Sequence, residues 1–69
     1  MEILENFGKK VKELRQKEGL SQEALANLAD LDRTYLPSIE KGERNVSIIV
    51  ASKIAAALKI KLSELFENI

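Results

Sequence analysis

The sequence predicts a compact all-α domain of five helices, on three observations. Apolar residues recur at spacings of three and four along the chain, and β-type alternation persists nowhere. Hydroxyl or carboxylate residues open the apolar runs, and Gly19 and Gly42 close two of them. Two of the runs, near 21–29 and 33–41, are short and separated by about three residues, the spacing of a helix-turn-helix.

Ile3, Phe7, Val11 and Leu14 define the buried face of a first helix, whose other faces carry Lys9, Lys10, Lys12, Glu13 and Lys17. Glu18-Gly19 ends it, with Gly19 suited to the left-handed residue after a helix. Ser21 caps a second helix, and Glu23 in its first turn favours the helix dipole. Leu25, Ala26, Leu28 and Ala29 supply its buried side, and the alanines let another helix approach closely. Asp30-Leu31 forms the turn, with Leu31 pointing inward. Asp32 then caps a third helix through Arg33, Thr34, Tyr35 and Leu36 to Glu40 or Lys41, closed by Lys41-Gly42. Ser47 caps a fourth, Ile48 to Leu58, with Ile54, Ala55 and Leu58 in the core. Ser63 begins a short fifth helix, Glu64 to Phe66.

At 69 residues the chain allows one domain, 1–69. A core of that size rarely supplies more than roughly 3–5 kcal/mol without a staple. The absence of cysteine and histidine excludes disulfides and the usual zinc sites, which leaves oligomerisation as the reinforcement. With 45% hydrophobic and 32% charged residues the chain suits a folded domain. It shows neither a cleavable signal nor an apolar run of membrane-spanning length, so a cytoplasmic location is expected, with no membrane partner. No metal, cofactor or ligand-sensing segment is evident. The net charge of zero is unusual for a nucleic-acid binder, yet its distribution is uneven. Residues 1–32 carry five basic and seven acidic groups, and residues 33–61 carry six basic and two acidic. Positive charge thus gathers in the second half of the helix-turn-helix and beyond. Such a unit lays its second helix in the major groove of DNA. The neutral total predicts weak non-specific binding, because that affinity comes from phosphate neutralisation.

The words Gly-Leu-Ser-Gln-Glu-x-Leu-Ala, Leu-Asp-Arg-Thr-Tyr-Leu, Ile-Glu-Lys-Gly and Lys-Ile-Ala-x-Ala-Leu follow one another in this chain. Together they resemble the XRE family of helix-turn-helix regulators, the group of Cro and the phage repressors, from Phe7 to Phe66. Within it, Leu-Asp-Arg-Thr-Tyr followed by Gly-x-Arg-Asn looks most like restriction–modification controller proteins. The resemblance implies a lambda-repressor-like fold with its helix-turn-helix at about 21–41 and dimerisation through 47–69. It also implies a homodimer on a pseudo-palindromic double-stranded DNA operator, upstream of its own gene. Activation by recruiting RNA polymerase, followed by repression from a second site, belongs to the same implication.

Arg33 and Thr34 fall where the family places base-reading side chains. Arg33 can donate two hydrogen bonds to guanine O6 and N7, worth roughly 1–3 kcal/mol of discrimination. A solvated surface charge is the alternative, but a cation at a helix N-terminus opposes the dipole and needs another reason to be there. Thr34 offers a hydroxyl to a base or a methyl to thymine, and Ser38 is a third candidate one turn on. Tyr35 suits either packing of the third helix or contact with a phosphate or thymine methyl. The resemblance places Gln22 against a flanking phosphate, bracing Arg33, with capping or exposure as alternatives. Lys41, Arg44 and Asn45 lie in a loop that the family sets over the sugar-phosphate backbone, and Arg44 suits a narrow minor groove. Lys41 equally suits a solvated face.

The resemblance further pairs Arg15 with Glu40 as a partly buried ion pair pinning the third helix. Pro37 departs from the family's small or polar residue. Counted from Asp32, its missing N–H forfeits a hydrogen bond to the Arg33 carbonyl, so a kinked or tightened helix is expected. Ile49 and Val50 in the fourth helix, with Phe66 and Ile69 near the C-terminus, make a second apolar surface suited to a dimer interface. A single exposed apolar residue at Ile49 is the alternative.

Rival readings are an antitoxin or phage-type repressor, and a protein-interaction module on the same fold. An enzyme is the least supported, since five short helices without histidine or cysteine offer little room for a catalytic cleft.

Overall fold

Residues Glu2–Lys17 form α1, Gln22–Leu28 α2, Tyr35–Glu40 α3, Ile48–Ala57 α4 and Leu62–Leu65 α5, with no strands. This computed structural model describes residues 1–69. All five helices contribute to one core, in which Val11, Leu25, Leu36, Ile39, Ile54 and Leu65 are fully buried. None of the helices is long and apolar enough to cross a membrane.

The helix starts follow their side chains. Ser21 accepts the Ala24 N–H at 3.0 Å and Ser47 the Val50 N–H at 3.1 Å, so each occupies one orphan donor of the first turn. At α5 the cap residue is Lys61, whose N–H is received by Glu64 at 3.1 Å. Ser63 therefore lies inside that helix, not at its start, because the reach-back from Glu64 sets the boundary.

The helix ends share one device. After α1, α2, α3 and α4 the chain makes one left-handed residue, namely Gly19, Asp30, Gly42 and Lys59. The next N–H returns to a carbonyl in the last turn: Leu20 to Arg15, Leu31 to Ala26, Glu43 to Ser38 and Ile60 to Ala55, at 2.9–3.1 Å. Leu20, Leu31 and Ile60 pack against the core, so these reversals also turn the chain inward. Two of the four use a residue other than glycine, against the steric preference of a Cβ.

The buried stripe of α1 is rotated from the expected one. It contains Phe7, Gly8, Val11 and Arg15, with Leu4 and Leu14 half-buried, while Ile3 is exposed. Gly8 explains the rotation: a Cβ there would lie 2.3 Å from the Ile39 carbonyl oxygen, so the α1 backbone rests directly on the end of α3. Leu28, expected inside, is also exposed, and Leu25, Ala26 and Ala29 alone form the buried side of α2.

The third helix starts later than expected. Arg33 and Thr34 form a turn ahead of α3 rather than its first helical turn. Asp32 Oδ1 accepts the Thr34 N–H at 2.9 Å and the Thr34 hydroxyl at 2.8 Å, while its carbonyl receives the Tyr35 N–H at 3.0 Å. Pro37 accounts for the delay. Its ring excludes a helical carbonyl four residues back, at Arg33, so the α-helix forms only beyond that residue. Pro37 thus becomes the third residue of α3, where a backbone N–H has no helical partner. No hydrogen bond is forfeited.

Candidate nucleic-acid interface

The turn between α2 and α3 carries the candidate base-reading side chains. Asp32, Arg33 and Thr34 are all exposed. Double acceptance from Thr34 holds the Asp32 carboxyl below its ordinary value of 3.8, first through the backbone N–H and then through the hydroxyl. Arg33 and Arg44 lie near enough to add to that effect. Arg33 engages in none of the fold's ion pairs or side-chain hydrogen bonds, so its five donors are free for an external acceptor.

Behind that turn Tyr35, Ser38 and Arg44 form one unit. The Arg44 guanidinium carbon stands 4.3 Å from the Tyr35 ring centroid, and Arg44 Nε donates to Ser38 Oγ at 2.8 Å. Ser38 in turn donates its proton to the Tyr35 carbonyl at 2.9 Å. Tyr35 is half-buried and also packs against the core, so packing and a polar tip coexist in one residue. Lys41 and Asn45 are exposed.

A second unit lies at the base of α3. Arg15 donates to Glu40 through Nε at 2.7 Å and Nη2 at 3.1 Å, and through Nη1 to the Leu20 carbonyl at 2.7 Å. The hydrogen bond and charge of Glu40 raise the Arg15 pKa above its ordinary value, against a smaller lowering by burial. Glu40 Oε1 also accepts Gln22 Nε2 at 3.1 Å. Gln22 is therefore tied to Glu40 rather than bracing Arg33. One N–H of its amide remains for an outside acceptor. Arg15 has turned its donors inward.

On a separate surface Phe66 stacks on Phe7 with centroids 5.4 Å apart and the rings tilted by 30°. An open apolar groove of about 160 Å³ runs past them, lined by Ile3, Leu4, Phe7, Val46, Phe66 and Ile69. Ile48 and Ile49 are 75% and 69% exposed, whereas Val50 and Ile69 are half-buried against the core.

The residues named from sequence thus separate into an exposed turn, two hydrogen-bonded units and a set of partly exposed apolar side chains. Asp32 was not among them as a site residue, and the Asp-x-Thr spacing of a local side-chain turn was the signal for it. The Arg44–Tyr35 stack carried no such signal, since its partners are nine residues apart across a helix end.

The helix-turn-helix family profile matches residues 11–65. Control protein C.MunI of a Mycoplasma species is 58% identical over 64 residues, covering 91% of this chain and 86% of its own. Control protein C.BamHI of Bacillus amyloliquefaciens is 45% identical over 62 residues, covering 88% and 76%. Among solved structures, the restriction–modification controller protein C.AhdI from Aeromonas hydrophila superimposes with a TM-score of 0.92 at 48% identity, over 94% of this chain and 98% of that one. The family is one of regulators rather than enzymes. With the fold, the α2-turn-α3 unit and these relatives in agreement, the chain belongs to the helix-turn-helix family, in its XRE group of DNA-binding transcriptional regulators.

Proposed function

We propose that this protein is the autoregulating controller of a restriction–modification system, acting as a cytoplasmic homodimer on a pseudo-palindromic operator. The observation that carries the reading is the exposed, unpartnered Arg33 on the turn into α3, with Thr34 beside it. Arg33 reads guanine and Thr34 a neighbouring base. Gln22, Tyr35, Lys41, Arg44 and Asn45 hold the backbone and groove around them. Arg15 and Glu40 serve as scaffold.

The single domain 1–69 dimerises through 47–69. Support comes from the exposed Ile48 and Ile49 on α4, and from the apolar groove beside the half-exposed Phe66. A two-fold dimer sets its two reading turns about 34 Å apart, one turn of DNA. The first dimer recruits RNA polymerase, and a second dimer on a weaker adjacent site blocks it.

The test is a footprint of the DNA upstream of its own gene across a protein titration, at two salt concentrations. Protection of one symmetric site, then of an adjacent one at higher protein, supports controller action. A single protected palindrome contradicts the two-site switch and leaves plain repression. No protection at low salt by folded protein contradicts self-regulation.

A further inference from the structure

We propose that Asp32 fixes the polarity with which Thr34 reads DNA: the carboxylate accepts the hydroxyl's one hydrogen bond, so Thr34 can only accept from DNA and selects a base edge carrying an amino group, adenine N6 or cytosine N4. The inference deepens the functional reading above and rests on Thr34 being a base contact.

The argument begins with what each atom can do. A carboxylate oxygen carries no proton, and Thr34 Oγ1 lies 2.8 Å from Asp32 Oδ1, so the hydroxyl must be the donor in that bond. The same Oδ1 receives the Thr34 backbone N–H at 2.9 Å, which anchors the carboxylate independently of the hydroxyl. The low pKa of Asp32 keeps it ionised wherever DNA is bound. A hydroxyl has one proton to give, and here it is given inward. What Thr34 Oγ1 presents outward is lone pairs alone.

Major-groove edges divide on this property. Guanine O6 and N7, adenine N7 and thymine O4 are acceptors, whereas adenine N6 and cytosine N4 are donors. Phosphate oxygens also only accept. An acceptor-only Thr34 therefore has no hydrogen bond to make with guanine, thymine or the backbone, and one to make with adenine or cytosine. Ser38 follows the same rule, because its proton goes to the Tyr35 carbonyl and one lone pair is filled by Arg44. The neighbouring Arg33 supplies the opposite polarity, being donor-only. The turn thus sets a donor for guanine beside an acceptor for an amino base.

The experiment selects duplexes from a randomised DNA pool with the wild type and with Thr34→Val, Asp32→Ala and Asp32→Asn, each checked for helical content and melting. The wild type is expected to show one position per half-site that prefers adenine or cytosine and loses that preference in Thr34→Val. Replacing the selected base by its analogue without the amino group, purine for adenine or 2-pyrimidinone for cytosine, then weakens wild-type binding about 3- to 10-fold, the worth of one hydrogen bond. Thr34→Val binds both duplexes alike. Asp32→Ala frees the proton and admits guanine or thymine at that position. Asp32→Asn, whose amide oxygen still accepts the hydroxyl, keeps the amino preference.

Selection of guanine or thymine by wild type at the Thr34-dependent position overturns the proposal, as does an unchanged preference in Asp32→Ala. Thr34→Val selecting the same sequences with wild-type affinity shows instead that Thr34 touches no base, a failure of the underlying reading. Should Asp32→Ala fail to fold, Asp32→Gly, which a helix-start turn tolerates, takes its place and must likewise admit guanine or thymine at that position.

Discussion

Replacing Arg15 by methionine is expected to remove about 3–5 kcal/mol of folding stability, the cost of stranding one member of a buried ion pair. The geometry sets that magnitude. The Arg15 and Glu40 side chains are 11% and 4% exposed, so little water reaches a stranded Glu40. Arg15→Met leaves Glu40 with only the 3.1 Å bond from Gln22 and leaves the Leu20 carbonyl without its 2.7 Å donor. Domains of this kind hold about 0.05–0.15 kcal/mol per residue, so roughly 3–10 kcal/mol in total here. The variant therefore sits at or near the edge of unfolding. Pairing Arg15→Met with Glu40→Leu removes both charges and recovers most of the loss, because an apolar replacement of a buried pair is often neutral or better. Urea denaturation followed by circular dichroism, at one fixed protein concentration, gives the double-mutant cycle. A loss of about 1 kcal/mol or less for Arg15→Met, the range of a solvated surface pair, would refute the reasoning.

Three further outcomes follow from the same structure. Lys59→Gly relieves a left-handed residue at φ 59° and is expected to gain about 0.5–1 kcal/mol, read as a melting point several degrees higher; a lower melting point would contradict the strain argument. Gly8→Ala drives a methyl to 2.3 Å from the Ile39 carbonyl oxygen and is expected to cost about 1–3 kcal/mol or more, measurable by the same urea titration. Asp32 has a depressed folded pKa, so its contribution is present above the ordinary value of 3.8 and is lost as pH falls through the lower folded value. The gap in melting point between wild type and Asp32→Ala should accordingly hold from pH 7 to about pH 5 and close in stronger acid, as a series of thermal scans would show.

Much of the fold was legible because it rests on local chemistry. Ser21 and Ser47 cap helices through bonds that span three residues, and Gly19 and Gly42 end helices by a backbone freedom visible in the residue itself. The errors arose where a distant partner decides. Ile3 and Leu28 satisfy the helical period, yet the close seat of Gly8 on α3 rotates α1 so that Arg15, a charged residue, enters the buried stripe and Ile3 leaves it. Pro37 was readable as a defect in a helix begun at Arg33; its ring instead moves the helix start, and the defect disappears. Around the α2–α3 turn, the sequence could place Arg33 and Thr34 at the junction of two short helices, and both are exposed there. The Arg44–Tyr35 stack and the Gln22–Glu40 bond could not be placed, since each joins elements that only the packed fold brings together.

The most direct measurement is the affinity of Arg33→Ala for the upstream DNA of its own gene and for a scrambled duplex of equal length, by fluorescence anisotropy at one salt concentration. Wild type should prefer the upstream site, and Arg33→Ala should lose that preference by about 1–3 kcal/mol while keeping its helical content and its weak binding to scrambled DNA. An Arg33→Ala protein that still distinguishes the two duplexes as the wild type does would contradict the assignment of the turn before α3 as the part that reads DNA.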